Sequence, residues 1–159
     1  MAVRIVSGTE YTLEKKLVEL IRENREKRVI VVGTTCSGKP TMLNKLHDAG
    51  LAALDMDRIV FPRLDGADRK AVERTPWTEE IGMLMERLSR KHVVVEPGKP
   101  VFGTVVFDCD LIIYLKISDD LLRTRNYLRG ARFDDAKGMQ LQIEANVKKS
   151  GIPTIELEF

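Results

Sequence analysis

The chain has little of several features that mark particular protein classes. Only two of its 159 residues are cysteines, Cys36 and Cys109. Two cysteines without the paired spacing of metal ligands make neither a disulfide framework nor a zinc site, so we expect two reduced thiols. No run approaches the ~20 apolar residues of a membrane span, and the first residues lack the apolar stretch of a signal peptide. We therefore expect a cytoplasmic protein with no membrane partner.

An excess of charge of one sign is also missing. The chain has 26 Lys and Arg against 24 Asp and Glu, for a net charge of +2. A general nucleic-acid binder usually presents a basic face, so we do not expect one here. The length and the 43% hydrophobic content are those of one folded domain, over residues 1–159. One local basic cluster stands out, formed by Arg123, Arg125, Arg129 and Arg132.

The most informative segment is an apolar run followed by a glycine-containing turn and a Gly-Lys pair. The run 29–32 predicts a buried parallel strand. Successive backbone N–H groups of such a turn, together with the positive end of the following helix, bind phosphate oxygens. The sequence therefore predicts a phosphate-binding loop made of Gly33, Thr34, Thr35, Cys36, Ser37, Gly38, Lys39, Pro40 and Thr41.

One position of this loop departs from the usual pattern. The residue after the lysine is normally Ser or Thr, whose hydroxyl reaches Mg²⁺, and here it is Pro40. Proline is tolerated at the start of a helix, where its missing N–H costs little. Thr41 keeps a hydroxyl one residue later, suited to an inner phosphate. We therefore expect Pro40 to weaken metal ligation more than phosphate binding.

Short apolar strands alternate with amphipathic helices along the chain. This order predicts an α/β protein, with a parallel sheet covered by helices on both faces. The predicted strands are 3–6, 29–32, 51–54, 93–95, 111–117 and 152–157. The predicted helices are 12–27, with Thr12 as N-cap, then 41–49, 79–90, 121–128 and 138–149. A polar, irregular segment is expected over 58–76.

Acidic residues follow two of the predicted strands. Asp55 and Asp57 leave the second strand of the core, and ligands of open α/β sheets bind beyond the carboxyl ends of strands. Asp57 could accept a substrate proton, and both aspartates could hold a metal ion, directly or through water. The alternative is a surface turn in which Asp57 caps the next helix. Glu96 follows the predicted strand 93–95 and could orient metal-bound water or belong to a solvated loop.

Two segments resemble the adenylate-type kinases of the P-loop superfamily. The loop is similar to theirs, which also lacks a hydroxyl after the lysine, and such enzymes hold Mg²⁺ largely through water. Residues 110–135 look like the fourth strand, the following helix and the lid of these kinases. The resemblance implies that Arg125 lies near the nucleotide base, Arg129 opens the lid and Arg132 lies within it. Arginines there can fork onto phosphate oxygens. The alternative is a solvated basic helix face.

The resemblance covers roughly residues 29–157. It implies a three-layer P-loop fold with a five-stranded parallel sheet, an added strand and helix within 1–28, and a short lid at about 129–137. Two departures are visible. The family's acceptor-binding Gly-Phe-Pro-Arg is absent after the predicted strand 93–95, and the position of a further family arginine lies near Ile143.

The sequence thus predicts a kinase that transfers the γ-phosphoryl group of ATP, with Mg²⁺, to a nucleoside monophosphate or similar small acceptor. The catalytic candidates are Lys39, Asp57, Arg125, Arg129 and Arg132. Two alternatives stay open. The aspartate pair resembles that of shikimate-type kinases and favours a small-metabolite hydroxyl kinase, whereas Pro40 favours a nucleotide-binding module with little turnover. Trp77 could stack on an acceptor base or belong to the core.

Overall fold

A single parallel sheet organises the molecule. The computed structural model describes residues 3–159, with every side chain among them except that of Arg74. All strand pairs are parallel, and the sheet has six strands in the order β1-β6-β5-β2-β4-β3. The strands are β1 Val3–Ser7, β2 Val29–Gly33, β3 Leu54–Asp55, β4 Val101–Gly103, β5 Leu111–Lys116 and β6 Thr154–Glu158. The expected five-stranded core and its added N-terminal strand therefore form one sheet, with β1 at the edge.

Helices cover both faces of this sheet. The helices are α1 Glu10–Glu23, α2 Lys39–Asp48, α3 Met56–Val60, α4 Gly66–Arg74, α5 Glu79–His92, α6 Asp119–Arg129 and α7 Phe133–Ser150. Successive side chains of a strand point to opposite faces. Accordingly, Val29 and Val31 pack with α1 and α2, whereas Ile30 and Val32 pack with α3, α5 and α7. Because both faces are covered, β2 is buried along its whole length.

The first helix is an integral part of the core. Thr9 caps its N-terminus, and the hydroxyl of Thr12 accepts a hydrogen bond from the Thr9 N–H at 3.0 Å. The expected cap at Thr12 was wrong, because Thr9 has the extended backbone of an N-cap and Thr12 lies in the first turn. Buried leucines and Ile21 attach α1 to the sheet. The chain before β2 therefore supplies fixed structure.

The predicted strand at 93–95 was also wrong. Val93 is the C-cap of α5, and the next core strand is β4, which begins at Val101. Residues 93–95 directly follow α5, and a turn at Glu96–Lys99 separates them from β4. Glu96 thus precedes its strand, lies at the sheet end opposite the Gly33 loop and pairs with Lys99 at 3.1 Å. It cannot orient metal-bound water at the loop.

The segment 58–76 is more ordered than expected. It contains the end of α3, a 3-10 turn at Phe61–Arg63 and α4. The polar composition of this segment suggested an irregular loop. In the structure Asp65 is the N-cap of α4, and its side chain accepts a hydrogen bond from the Asp68 N–H at 2.8 Å. Across residues 3–159, none of the helices is long and apolar enough to cross a membrane.

Candidate functional site

The predicted phosphate loop has the backbone geometry of an anion site. β2 ends at Gly33 and α2 begins at Lys39. Between them, Cys36 and Gly38 have left-handed backbone angles, with φ of 68° and 89°. Backbone N–H groups around left-handed residues of this kind converge on a concave surface. Gly38 gives α2 no side-chain cap, so the first-turn N–H groups of the helix are left for a ligand.

Small residues bring the loop close to itself. A Cβ on Gly33 would lie 2.4 Å from the Ser37 hydroxyl oxygen, so glycine is required there. The Ser37 hydroxyl is buried and has no hydrogen-bond partner within residues 3–159. An unpartnered buried hydroxyl is unfavourable, and a bound phosphate oxygen would satisfy it. The hydroxyl of Thr34 ties the loop to α7 by donating to the Ala136 carbonyl at 2.6 Å, while Thr35 is exposed.

Lys39 folds back over the loop. Its ammonium donates to the carbonyl oxygens of Gly33 and of Thr34, the latter at 3.3 Å. Burial lowers the pKa of this ammonium, and the charges of Asp57 and Asp55 oppose that effect. Burial likewise raises the pKa of the half-buried Asp57 carboxyl, which the Lys39 charge opposes. The charges of Lys39 and of the aspartates thus act on one another, and the predicted roles of the aspartates toward phosphate or metal stay predictions.

The two aspartates differ in what they are free to do. Asp55 is the N-cap of α3, where its side chain accepts from the Asp57 N–H at 3.0 Å, and its other oxygen lies 3.6 Å from Arg58. The cap is therefore Asp55 and not Asp57. Across residues 3–159, no three potential ligands among His, Cys, Asp and Glu gather at one point. Pro40 and Thr41 lie exposed in the first turn of α2.

Arg125 is held against the loop from the other side. Its Nη1 donates to the Cys36 carbonyl at 3.0 Å, and its Nη2 pairs with the Glu10 carboxylate of α1. Its guanidinium carbon also lies 5.8 Å from the centre of the Phe159 ring. Glu10 was not predicted as a site residue, because two residues so far apart along the chain form no recognisable spacing pattern.

Arg129 and Arg132 lie in the segment 129–137, which was expected to form a short lid and whose residues 133–137 belong to α7 in the structure. Three residues, 130–132, separate α6 from α7, with Gly130 at a φ of 67°. Both arginines are exposed, and neither has an ion-pair partner in the described part of the chain. Arg123 instead stacks on Phe133, 4.4 Å from its ring centre. The structure thus brings Arg125 to the loop, whereas Arg129 and Arg132 are exposed and make no ion pair within the described residues.

Two cavities flank the loop. Cavity A, of about 610 Å³, is lined by Glu10, Tyr11, Gly38, Arg125, Leu128 and Arg129, among others. Cavity B, of about 450 Å³, is lined by Thr35, Glu73, Trp77, Arg132, Asp135 and Met139, among others. Trp77 packs partly against the core and also borders cavity B, and its stacking on an acceptor base stays a prediction. The loop therefore separates two spaces, each large enough for a small molecule.

Comparisons with known proteins found similarity in structure and none in sequence. No protein-family model matches the chain, and no curated protein matches it. Among solved structures, a deoxyadenosine kinase from M. mycoides, with products dCMP and a flexible dCDP bound, is 13% identical with a TM-score of 0.48. The match covers 80% of this chain and 87% of that one.

Proposed function

We propose that the protein is an ATP-dependent kinase acting on a small acceptor. The observation that carries this proposal is the loop itself: a turn with left-handed backbone angles and a half-buried lysine, placed between two cavities. A phosphoryl-transfer enzyme needs a polyphosphate cradle with room for a donor on one side and an acceptor on the other. The loop and the two cavities beside it support this proposal.

The chemistry follows from the charges around the loop. The γ-phosphoryl group passes from the bridging oxygen of ATP to an acceptor oxygen, and ADP leaves. In the donor complex, the Lys39 ammonium exchanges the Gly33 and Thr34 carbonyls for phosphate oxygens and stabilises the charge that builds on them. Asp57, whose raised pKa favours taking up a proton, receives the proton that the acceptor loses.

The residues present are compatible with Mg²⁺ held mainly by the donor phosphates and water. Mg²⁺ commonly keeps several waters and takes only one or two carboxylates. Asp57 is the carboxylate available for such a water, since Asp55 is engaged as a helix cap and Pro40 has no hydroxyl. The ion would neutralise charge on the transferred group.

Two acceptor classes remain, and the lining of cavity B bears on the choice. A nucleoside monophosphate is implied by the resemblance to adenylate-type kinases. A neutral hydroxyl compound, such as a nucleoside or another small metabolite, is favoured by charge, because Glu73 and Asp135 outnumber Arg132 there. Carboxylates repel a second anion, and Trp77 offers an aromatic surface to an uncharged ring. We therefore place the hydroxyl compound ahead of the monophosphate.

A paired acceptor screen tests the proposal. Purified protein is incubated with Mg²⁺, ATP and matched pairs of nucleosides and their monophosphates, with sugar and shikimate-like alcohols alongside, and ADP release is followed. We expect acceptor-dependent ADP formation, greater with the neutral member of a pair. A preference for the monophosphate would reverse the acceptor choice. ATP binding without ADP formation from any acceptor would favour the nucleotide-binding module instead.

A further inference from the structure

We propose that Glu10 is a positioning residue of the donor pocket, which fixes Arg125 so that the guanidinium forms a stacking surface for the nucleotide base. This inference rests on the proposed donor role of the loop. It assigns a function to the N-terminal strand and helix, which the loop motif does not require.

Glu10 is placed by the fold with little freedom in its backbone. It is the first residue of α1, directly after the Thr9 cap. The strand β1 before it pairs with β6 along its whole length, and the helix after it is anchored by Leu13 and Leu17, which are fully buried. The carboxylate at the start of α1 is therefore delivered to the loop by the sheet and the core.

Arg125 is restrained on two edges and one face. The Cys36 carbonyl and the Glu10 carboxylate each take one of its terminal nitrogens. Phe159 lies near the guanidinium carbon, at 5.8 Å. A guanidinium is planar, and contacts at two edges determine how its faces are turned. Because Arg125 also lines cavity A, we infer that the face away from Phe159 is the one offered to that cavity.

The surroundings of this face suit a flat aromatic base. Tyr11 and Leu128 both border cavity A, and their side chains are 60% and 76% exposed. Arginine stacks favourably on aromatic rings, and exposed apolar groups gain by covering such a ring. The ligand class is thus a nucleoside triphosphate whose phosphates enter the loop and whose base lies in cavity A.

Gly38 lies between the Glu10–Arg125 pair and the rest of the loop. A Cβ on this residue would lie 2.6 Å from a Glu10 carboxylate oxygen and 3.5 Å from Arg125 Nη1. The loop glycine therefore makes room for Glu10 in addition to supplying a left-handed turn. Pairing also neutralises Arg125, so phosphate binding is left to Lys39 and the α2 N-terminus.

Calorimetric titrations with ATP and with inorganic tripolyphosphate, which has no base, test the inference. The proteins are the unsubstituted chain, Glu10→Ala, Glu10→Gln and Glu23→Gln. Glu23 is the last residue of α1, is exposed and does not line cavity A, so it is a control for the loss of one negative charge from the same helix. We expect Glu10→Ala to lose about tenfold in ATP affinity with no loss for tripolyphosphate. Glu10→Gln, which keeps an acceptor oxygen, should lose less, and Glu23→Gln should match the unsubstituted chain.

Other outcomes overturn the inference in distinguishable ways. Unchanged or tighter ATP binding by Glu10→Ala would mean that the carboxylate does not help the base, and tighter binding would identify it as a competitor of the donor. Parallel loss of both ligands, with a lowered unfolding temperature, would indicate a purely structural role. If the unsubstituted chain binds neither ligand, the proposed donor loop itself fails.

Discussion

Cavity A and cavity B meet the same loop but are built differently. In cavity A, Arg125 has two hydrogen-bonding partners and lies among elements anchored in the sheet. In cavity B, the arginine is Arg132, exposed on a three-residue connection and without an ion-pair partner in the described part of the chain. One side is organised before any ligand arrives, and the other can adjust.

This difference matches the needs of a transfer reaction. A pre-organised site binds with less loss of conformational freedom, which suits a donor used in every turnover. An exposed arginine without an ion-pair partner is free to move over a bound acceptor and exclude water, which would otherwise take the phosphoryl group. The comparison therefore supports the proposal that the donor occupies cavity A and that closure takes place at cavity B.

The largest expected effect comes from replacing Asp57, the proposed proton acceptor. Asp57→Asn should lower kcat by at least about a hundredfold, because it removes the proton acceptor and the metal-water partner. In the unsubstituted chain, burial raises the pKa of Asp57 and lowers that of Lys39. The acid limb of kcat/KM against pH should thus lie above the usual carboxylate range and the alkaline limb below the usual lysine range.

The control for this prediction is Asp48→Asn at the far end of α2, which should leave the pH profile unchanged. Loss of the acid limb in Asp57→Asn is expected. Persistence of that limb would show that another group carries it.

Gly38→Ala should damage cavity A selectively. A left-handed non-glycine residue costs about 1–2 kcal/mol, and the new Cβ would collide with the Glu10 carboxylate. We expect ATP affinity to fall by about tenfold to thirtyfold. Gly50→Ala is the matched control, since Gly50 has a φ of 77° and nothing within 4 Å of its Cβ position. Equal ATP affinities in the two variants would refute the collision.

The two exposed arginines should separate the cavities kinetically. Arg132→Ala should raise the acceptor KM by about fivefold to tenfold and leave ATP binding unchanged, because Arg132 borders only cavity B of the two. Arg129→Ala should show the reverse pattern, since Arg129 borders cavity A. Steady-state kinetics with each substrate varied in turn gives both values. The same pattern in both variants would break the assignment of sides.

Pro40→Ser should have the smallest effect. It restores a hydroxyl and an N–H at the start of α2, but Mg²⁺ held through water gains little from them. We expect kcat to change by less than about threefold. A much larger increase at fixed Mg²⁺ would indicate that direct ligation is missing in the natural chain.

Local signals predicted much of the fold. The buried run before Gly33 and the Gly-Lys pair located β2, the loop and α2, because strand burial and turn chemistry are encoded within a few residues. The parallel order followed from the alternation of strands and helices. The prediction failed at residues 93–95, because a β-branched composition does not determine which segment enters the sheet. It failed at residues 58–76, because a polar composition concealed a capped helix.

The site was predictable only where its parts are close in sequence. Lys39 was expected in the loop from the Gly-Lys pair and Asp57 near it from the order of the strands, and the charge of each opposes the effect of burial on the pKa of the other. The Glu10–Arg125 pair joins the first helix to the sixth, so only the folded chain brings it together. Cavity B likewise combines the loop, the α4–α5 connection and α7, and no local pattern announces it.

The most direct test of the account is the affinity for ATP of Lys39→Ala compared with Lys45→Ala. Both lysines lie on α2, but only Lys39 folds over the loop. The account predicts that calorimetry finds ATP binding by the unsubstituted chain and by Lys45→Ala, and a loss of at least about tenfold in Lys39→Ala with an unchanged unfolding profile. Equal ATP affinity in all three proteins would contradict a phosphate-binding role for the loop.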